Sequence, residues 1–267
     1  MNANSKGTAV ITGASSGIGA IYADRLARRG YDLILVARNQ ERLQEVARTI
    51  TDETGRSVNV VAADLGAPQD LRRVEAILRD NASITLLVNN AGFGSVTPLL
   101  GSDIDKMEAM IDLNVTALTR LTYAAVPGFV ARGAGAVINI SSIVAIGPEI
   151  LNGVYGGSKA YVLAFSQSLH HELADKGVRV QAVLPGGTAT EFWDIAGYGA
   201  YAESPKVMAA TDMVDAALAG FDLGELVTIP PLQQDGRWEA HDAERRAIAA
   251  DLAHAQPAPR YRAAALA

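Results

Sequence analysis

The 267 residues carry a formal net charge of −6, with 49% hydrophobic and 19% charged side chains, a balance that sets disorder aside. The acidic balance argues against nucleic acid or an anionic membrane as partner, and the absence of cysteine removes disulfides, zinc–thiolate sites and thiol nucleophiles. Met1 to Gly7 holds no apolar signal core and no apolar run approaches a membrane span, so a cytoplasmic protein is expected.

Thr8 to Ile11 reads as a short buried strand, and Thr12-Gly13-Ala14-Ser15-Ser16-Gly17-Ile18-Gly19 follows it directly. A helical pattern then carries Ile18, Ala23, Leu26 and Ala27 inward and stops at Gly30. Glycines at a strand-to-helix turn permit a tight bend, close approach to a phosphate and close helix–strand packing, while the helix start offers free N–H groups. The spacing is G-x-x-x-G-x-G, and a dinucleotide cradle is weighed here against a Gly-rich turn with no ligand. The next strand, Asp32 to Ala37, is a continuous apolar run of the parallel-sheet kind. An NAD site places an acidic residue at this strand end; here Ala37 stands there and Arg38 follows, a guanidinium suited to a 2′-phosphate, so NADP is favoured.

The alternation continues with a helix over Gln40–Asp52, a strand over Val58–Ala62 ending at Asp64-Leu65, a helix over Pro68–Arg79, and a strand over Ile84–Val88 ending in Asn89-Asn90-Ala91-Gly92. Strands alternating with helices imply βαβ units, a parallel sheet covered on both faces, and ligands at the strands' C-terminal ends. Asp103 to Ala131 reads as one long helix holding Asn114, which on its residues alone is best taken as a packed core amide bonded to backbone. The strand Ala136–Ile140 ends in Ser141-Ser142, and Tyr155 opens a helix running to about Lys176. Tyr155 and Lys159 lie four apart on that helix, so the ammonium is expected to lower the phenol's pKa towards the range of an acid/base catalyst. Judged alone the pair reads equally as two residues on a solvated helix face. The strand Val178–Leu184 ends in Pro185-Gly186-Gly187-Thr188-Ala189-Thr190, and Glu191 to Ser204 reads as a loop holding Phe192, Trp193, Tyr198 and Tyr201. A helix over Pro205–Ala219 and a strand over Leu226–Ile229 close the alternation at Pro230-Pro231. Arg237 to His254 is a charged helix, and Ala255 to Ala267 reads as a disordered tail or an arm on a neighbouring subunit. The expectation is one α/β domain, a Rossmann-like doubly wound parallel sheet of about seven strands over residues 1–230, with 231–267 as its helix-and-tail extension.

Taken together, these motifs resemble the short-chain dehydrogenase/reductase family in its compact single-domain branch, over about Thr8 to Ile229. The resemblance rests on Thr12-Gly13-xxx-Gly17-x-Gly19, Asp64, Asn89-Asn90-Ala91-Gly92, Asn114, Ser142, Tyr155-xxx-Lys159 and Pro185-Gly186 with Thr190. It implies an oxidoreductase moving a hydride between a nicotinamide and a carbonyl or alcohol, with Asn114, Ser142, Tyr155 and Lys159 as its catalytic tetrad. Tyr155 would be the general acid or base. Lys159 would lower its pKa and bind the nicotinamide ribose, Ser142 would hold the carbonyl oxygen, and Asn114 would hold a relay water, replacing its reading as core filler. Pyrophosphate would lie on the turn of Gly13, Ser15, Ser16, Gly17, Ile18 and Gly19, with Ser15 and Arg38 near the 2′-phosphate. Asp64 and Leu65 would flank adenine, Asn90, Ala91 and Gly92 the ribose, and Pro185, Gly186, Thr188 and Thr190 the nicotinamide side. NADP(H) is preferred and NAD(H) is the alternative; many NADP-binding members carry a basic residue where this chain has Ser16, which leaves the preference largely to Arg38. Ser142, Tyr155, Phe93 and Trp193 are the substrate candidates, with Pro148, Ile150, Leu151, Phe192, Tyr198 and Tyr201 as further apolar ones, each also open to a reading as loop packing. No metal is expected, since the adjacent His170 and His171 do not converge on one ion. The competing readings are an NAD-dependent alcohol dehydrogenase and a non-catalytic dinucleotide-sensing scaffold. Family members pair the long helices beginning near Asp103 and Gly153 across subunits, so a homodimer or homotetramer is expected.

Overall fold

The structure, a computed structural model, describes residues 6–262. Seven strands form one sheet: β1 (Thr8–Thr12), β2 (Asp32–Ala37), β3 (Val58–Ala62), β4 (Ile84–Asn89), β5 (Gly135–Ile140), β6 (Val178–Val183) and β7 (Val227–Thr228). Their order is β3-β2-β1-β4-β5-β6-β7 and every pairing is parallel. The continuous apolar runs of β1, β2 and β4 are buried on both faces, as parallel strands under helices must be. One face is packed by α1 (Gly17–Arg28), α2 (Gln40–Thr54) and α8 (Ala210–Leu223), through Tyr22, Leu26, Leu43 and Met213. The other is packed by α3 (Pro68–Asp80), α5 (Leu118–Arg132) and α6 (Gly153–Leu173), through Val74, Leu121, Phe129 and Leu169. Each such side chain contributes about 1.5–3 kcal/mol on burial, which is what holds the two layers to the sheet.

The order reverses between β1 and β4, and that switch point opens a crevice at their C-terminal ends. Thr12 and Asn90 stitch it together. The Thr12 hydroxyl accepts from the Asn90 and Ala91 N–H groups at 2.9 and 3.0 Å, and the Asn90 amide donates to the Thr12 carbonyl at 2.8 Å.

The helix expected over Asp103–Ala131 is interrupted. It comprises α4 (Ile104–Ile111), a π turn over Asp112–Ala117, and α5. The wider turn coincides with Asn114, whose side chain bonds the Phe93 backbone and Ser158 and so competes with regular helix packing. The Glu191–Ser204 stretch also differs from expectation, since it folds into α7 (Phe192–Ala196) and a 3-10 segment over Gly199–Glu203. Its aromatics pack on one another, and that tertiary burial overrides glycines that read as loop. Strand β7 is shorter than expected and α8 starts later, at Ala210.

The chain divides at Pro231 into a first unit that holds the sheet and a second from Leu232 onward. The second contains α9 (Arg237–Ala250), with no buried residue, and α10 (Pro259–Arg262). Of the tail expected to be disordered or an arm, residues 263–267 lie outside the described residues.

Candidate active site

Gly13 and Gly17 hold φ of +65° and +53°, conformations that side chains rarely adopt, and this bends the chain from β1 into α1. Gly19 is required by contact: a Cβ there would lie 2.3 Å from the Gly13 carbonyl oxygen. Ser16 caps α1 in an extended conformation with no side-chain bond to its first N–H groups, and no acidic residue lies in the first turn. A phosphate-bearing group therefore fits this cradle, whose glycines leave the backbone N–H groups at the start of α1 open to it.

Asn152 fixes the catalytic candidates on α6. Its Oδ1 accepts from the Val154 and Tyr155 N–H groups at 2.8 and 3.3 Å, and its Nδ2 donates to the Thr97 carbonyl at 2.6 Å. Tyr155 thus sits in the first turn and Lys159 one turn on, both buried. The Ser141 hydroxyl donates to the Lys159 carbonyl at 2.7 Å, tying the end of β5 to the same turn. Ser142 Oγ donates to the Pro185 carbonyl at 3.5 Å and accepts from Val144 N–H at 3.3 Å, and Ser142 lines the same cavity as Tyr155. Lys159 Nζ donates to the Ile140 carbonyl at 2.9 Å and lies 5.9 Å from the Tyr155 ring centroid.

Burial pushes the Tyr155 phenol up to about 12, against a smaller downward pull from Ser142. The expectation that Lys159 brings this phenol down is therefore not met in the protein alone. Its ammonium is spent on the Ile140 carbonyl, and burial lowers Lys159 itself to about 8.

Asn114 is buried, accepting from Phe93 N–H at 3.1 Å and donating to the Phe93 carbonyl at 2.9 Å and to Ser158 Oγ at 3.1 Å. These are the bonds of a packed core amide. Asn114 nevertheless reaches the site's edge, because a Cβ on Gly92 would meet Asn114 Oδ1 at 2.8 Å and Lys159 Nζ at 3.6 Å. Ser158, absent from the residues singled out by sequence, passes the contact on by donating to the Tyr155 carbonyl at 2.8 Å.

A cavity of about 400 Å³ runs from the cradle to this cluster. Gly13, Ser16, Gly17 and Ile18 line one end, and Asn90, Ala91, Gly92, Pro185, Gly186, Thr188 and Thr190 continue it. Ser142, Tyr155 and Lys159 form its middle. Phe93, Ile150, Leu151, Phe192, Trp193, Tyr198 and Tyr201 give an apolar wall, whereas Pro148 lies outside it. Ser15, Gly19, Arg38, Asp64 and Leu65 do not line the cavity. Arg38 is exposed at the end of β2, and its guanidinium has no partner among the described residues. Asp64 is exposed, its Oδ1 accepting from Gly66 N–H at 3.0 Å, and Leu65 is buried. Trp193 is fixed by donating Nε1–H to the Thr188 carbonyl at 2.9 Å and by its ring contact with Tyr201 at 4.4 Å. Ile140, Ser141, Ile143, Val144, Gly187, Glu191 and Ile195 complete the lining and are not among the candidate site residues of the sequence, since nothing in their spacing sets them apart.

A doubly wound parallel sheet with a glycine cradle at its switch point and a buried Ser/Tyr/Lys cluster beside it defines a Rossmann-like α/β protein. The short chain dehydrogenase family matches over residues 7–196, and the chain belongs to that family of oxidoreductases. Among solved structures it is similar to a short-chain dehydrogenase from Sphingobium yanoikuyae in complex with NADPH, with 49% identity, a TM-score of 0.92, and coverage of 96% of this chain and 100% of that one. It is similar also to a bulky-bulky ketone specific alcohol dehydrogenase from Comamonas testosteroni, with 42% identity, a TM-score of 0.88, and coverage of 96% and 98%. The very-long-chain 3-oxoacyl-CoA reductase of Anas platyrhynchos is 39% identical over 188 residues, which are 68% of this chain and 60% of that protein. The chain thus spans less than two thirds of that relative's length.

Proposed function

We propose that this oxidoreductase reduces bulky, largely apolar ketones to secondary alcohols, or the reverse, with NADP(H) as the hydride partner. The observation that carries the reading is the placement of Ser142, Tyr155 and Lys159 together in a cavity that joins a phosphate cradle to an aromatic wall. The NADPH complex of one relative and the ketone named for another support the same reading.

When bound, the nicotinamide supplies or accepts the hydride. Tyr155, held as the neutral phenol by burial, donates its proton to the carbonyl oxygen as negative charge grows there, and takes one back in the oxidation direction. Ser142 holds that oxygen by a hydrogen bond, an oxyanion-type contribution. Lys159, charged below its pKa of about 8, places a positive charge 5.9 Å from the phenol ring and holds the Ile140 carbonyl at the end of β5. Asn114 holds the Phe93 backbone against α6 through Ser158 and fixes the turn on which Tyr155 stands. The free guanidinium of Arg38 favours the 2′-phosphate.

A panel of small and bulky ketones, followed by nicotinamide absorbance with both cofactors, tests the proposal. Turnover of aryl ketones with NADPH is the expected result. Arg38→Asp is expected to raise Kd for NADPH at least tenfold while leaving that for NADH within about threefold; equal loss for both would remove the NADP assignment.

A further inference from the structure

Glu191 is the one acidic side chain lining the cavity among the described residues. Its carboxylate accepts both arms of the Arg42 guanidinium, Nη1 to Oε2 at 2.9 Å and Nη2 to Oε1. Arg42 holds that carboxylate more acidic than an ordinary glutamate, with a smaller contribution from Ser16, which lines the same cavity. Three separate parts of the chain meet there. Ser16 belongs to the glycine cradle, Arg42 to the first turn of α2, and Glu191 to the segment that leads into α7 and the aromatic wall. The side chains of Arg42 and Glu191 are 46% and 50% exposed, and a pair this open adds little to folding. What it spans is more consequential: it straps the wall-bearing segment across the edge of the cradle.

Charge decides what happens when a phosphate enters. A carboxylate at Ser16 repels it, whereas a bidentate guanidinium accepts phosphate with the same fork geometry that it offers Glu191. We propose that Glu191 is a phosphate surrogate: it occupies Arg42 at the edge of the cradle in the dinucleotide-free protein, an incoming cofactor phosphate displaces it, and Arg42 then serves the phosphate. Glu191 opposes dinucleotide binding and Arg42 favours it. Displacement also releases the segment carrying Phe192 and Trp193, so the dinucleotide enters before the substrate. This inference rests on the dinucleotide reading above.

The two partners of a simple strap give the same phenotype when either is removed; the partners of an exchange give opposite ones. Dissociation constants for NADPH and NADH are measured by the fluorescence of the reduced nicotinamide for the wild type, Glu191→Gln and Arg42→Gln, with thermal midpoints checking that both variants fold. Glu191→Gln is expected to tighten binding about three- to tenfold, and Arg42→Gln to weaken it by a similar factor. A shift confined to NADPH assigns the 2′-phosphate as the displacing group, and a shift for both assigns the pyrophosphate. Amide exchange over residues 191–204 in the cofactor-free protein is expected to quicken in both variants. Changes in affinity of the same sign, no change in either variant, or unaltered exchange would overturn the proposal. Failure of the wild type to bind either dinucleotide would instead remove the functional reading beneath it.

Discussion

Tyr155 and Lys159 are both buried, and for the lysine burial works against stability. Taking an ammonium out of water lowers its pKa, here from 10.5 to about 8. Between those values the unfolded chain binds the proton and the folded chain does not, so stability rises with pH across that window. Below pH 8 the buried cation is a standing cost. Lys159→Met is therefore expected to be at least as stable as the wild type at pH 7, and the wild type to gain on it between pH 8 and 10.5; denaturant titrations of both proteins across that range check this. A wild type that is clearly the more stable at pH 7 would count against the buried-cation account. For ketone reduction the phenol stays protonated throughout the neutral range, since burial holds it up to about 12. The alkaline limb of kcat/KM should thus fall near pH 8, with Lys159, and a limb above pH 10 would assign it to Tyr155 instead.

At the scale of elements, the cradle depends on how closely α1 can approach the end of β1. Gly19→Ala places a methyl 2.3 Å from the Gly13 carbonyl oxygen, so α1 must move. The expected result is a loss of about 1–3 kcal/mol in stability together with at least a tenfold weaker dinucleotide, read by thermal unfolding and fluorescence titration. Unchanged binding would show that the turn does not hold the phosphates. The alternation of apolar runs with helical patterns made the seven strands legible in the sequence, because a parallel strand covered on both faces has no polar side to confuse with loop. The motifs at the strand ends were legible for the same reason. The π turn at Asn114 was not, since it arises from bonds to Phe93 and Ser158, one distant in the chain and the other an unremarked serine. Nor was α7, whose Phe192 and Trp193 meet Tyr155 and Tyr201 only after folding. The direction of the Tyr155 shift was misjudged because helix spacing places Lys159 near the ring but says nothing of burial or of the Ile140 carbonyl that takes the ammonium.

Across the whole molecule, α5 and α6 pack on the same face of the sheet, and Tyr123 of α5 remains 69% exposed while stacked on Phe165 of α6 at 6.4 Å. An exposed aromatic beside a second ring suits a contact between copies of this chain. A homodimer or homotetramer is the proposal, and Tyr123→Glu should shift it towards monomer in light scattering; a wild-type monomer at micromolar concentration would exclude it. Among the described residues no helix is long and apolar enough to cross a membrane.

The central claim is that the buried Tyr155 phenol is the proton donor to a ketone oxygen. It is tested most directly by single-turnover oxidation of bound NADPH with a bulky aryl ketone, comparing the wild type with Tyr155→Phe at saturating cofactor. The substitution removes one hydroxyl from a buried ring that Phe192 packs against at 5.7 Å, so NADPH affinity should stay within about threefold while the rate falls at least about a hundredfold. A Tyr155→Phe protein that binds NADPH and turns over the ketone at near the wild-type rate would contradict it.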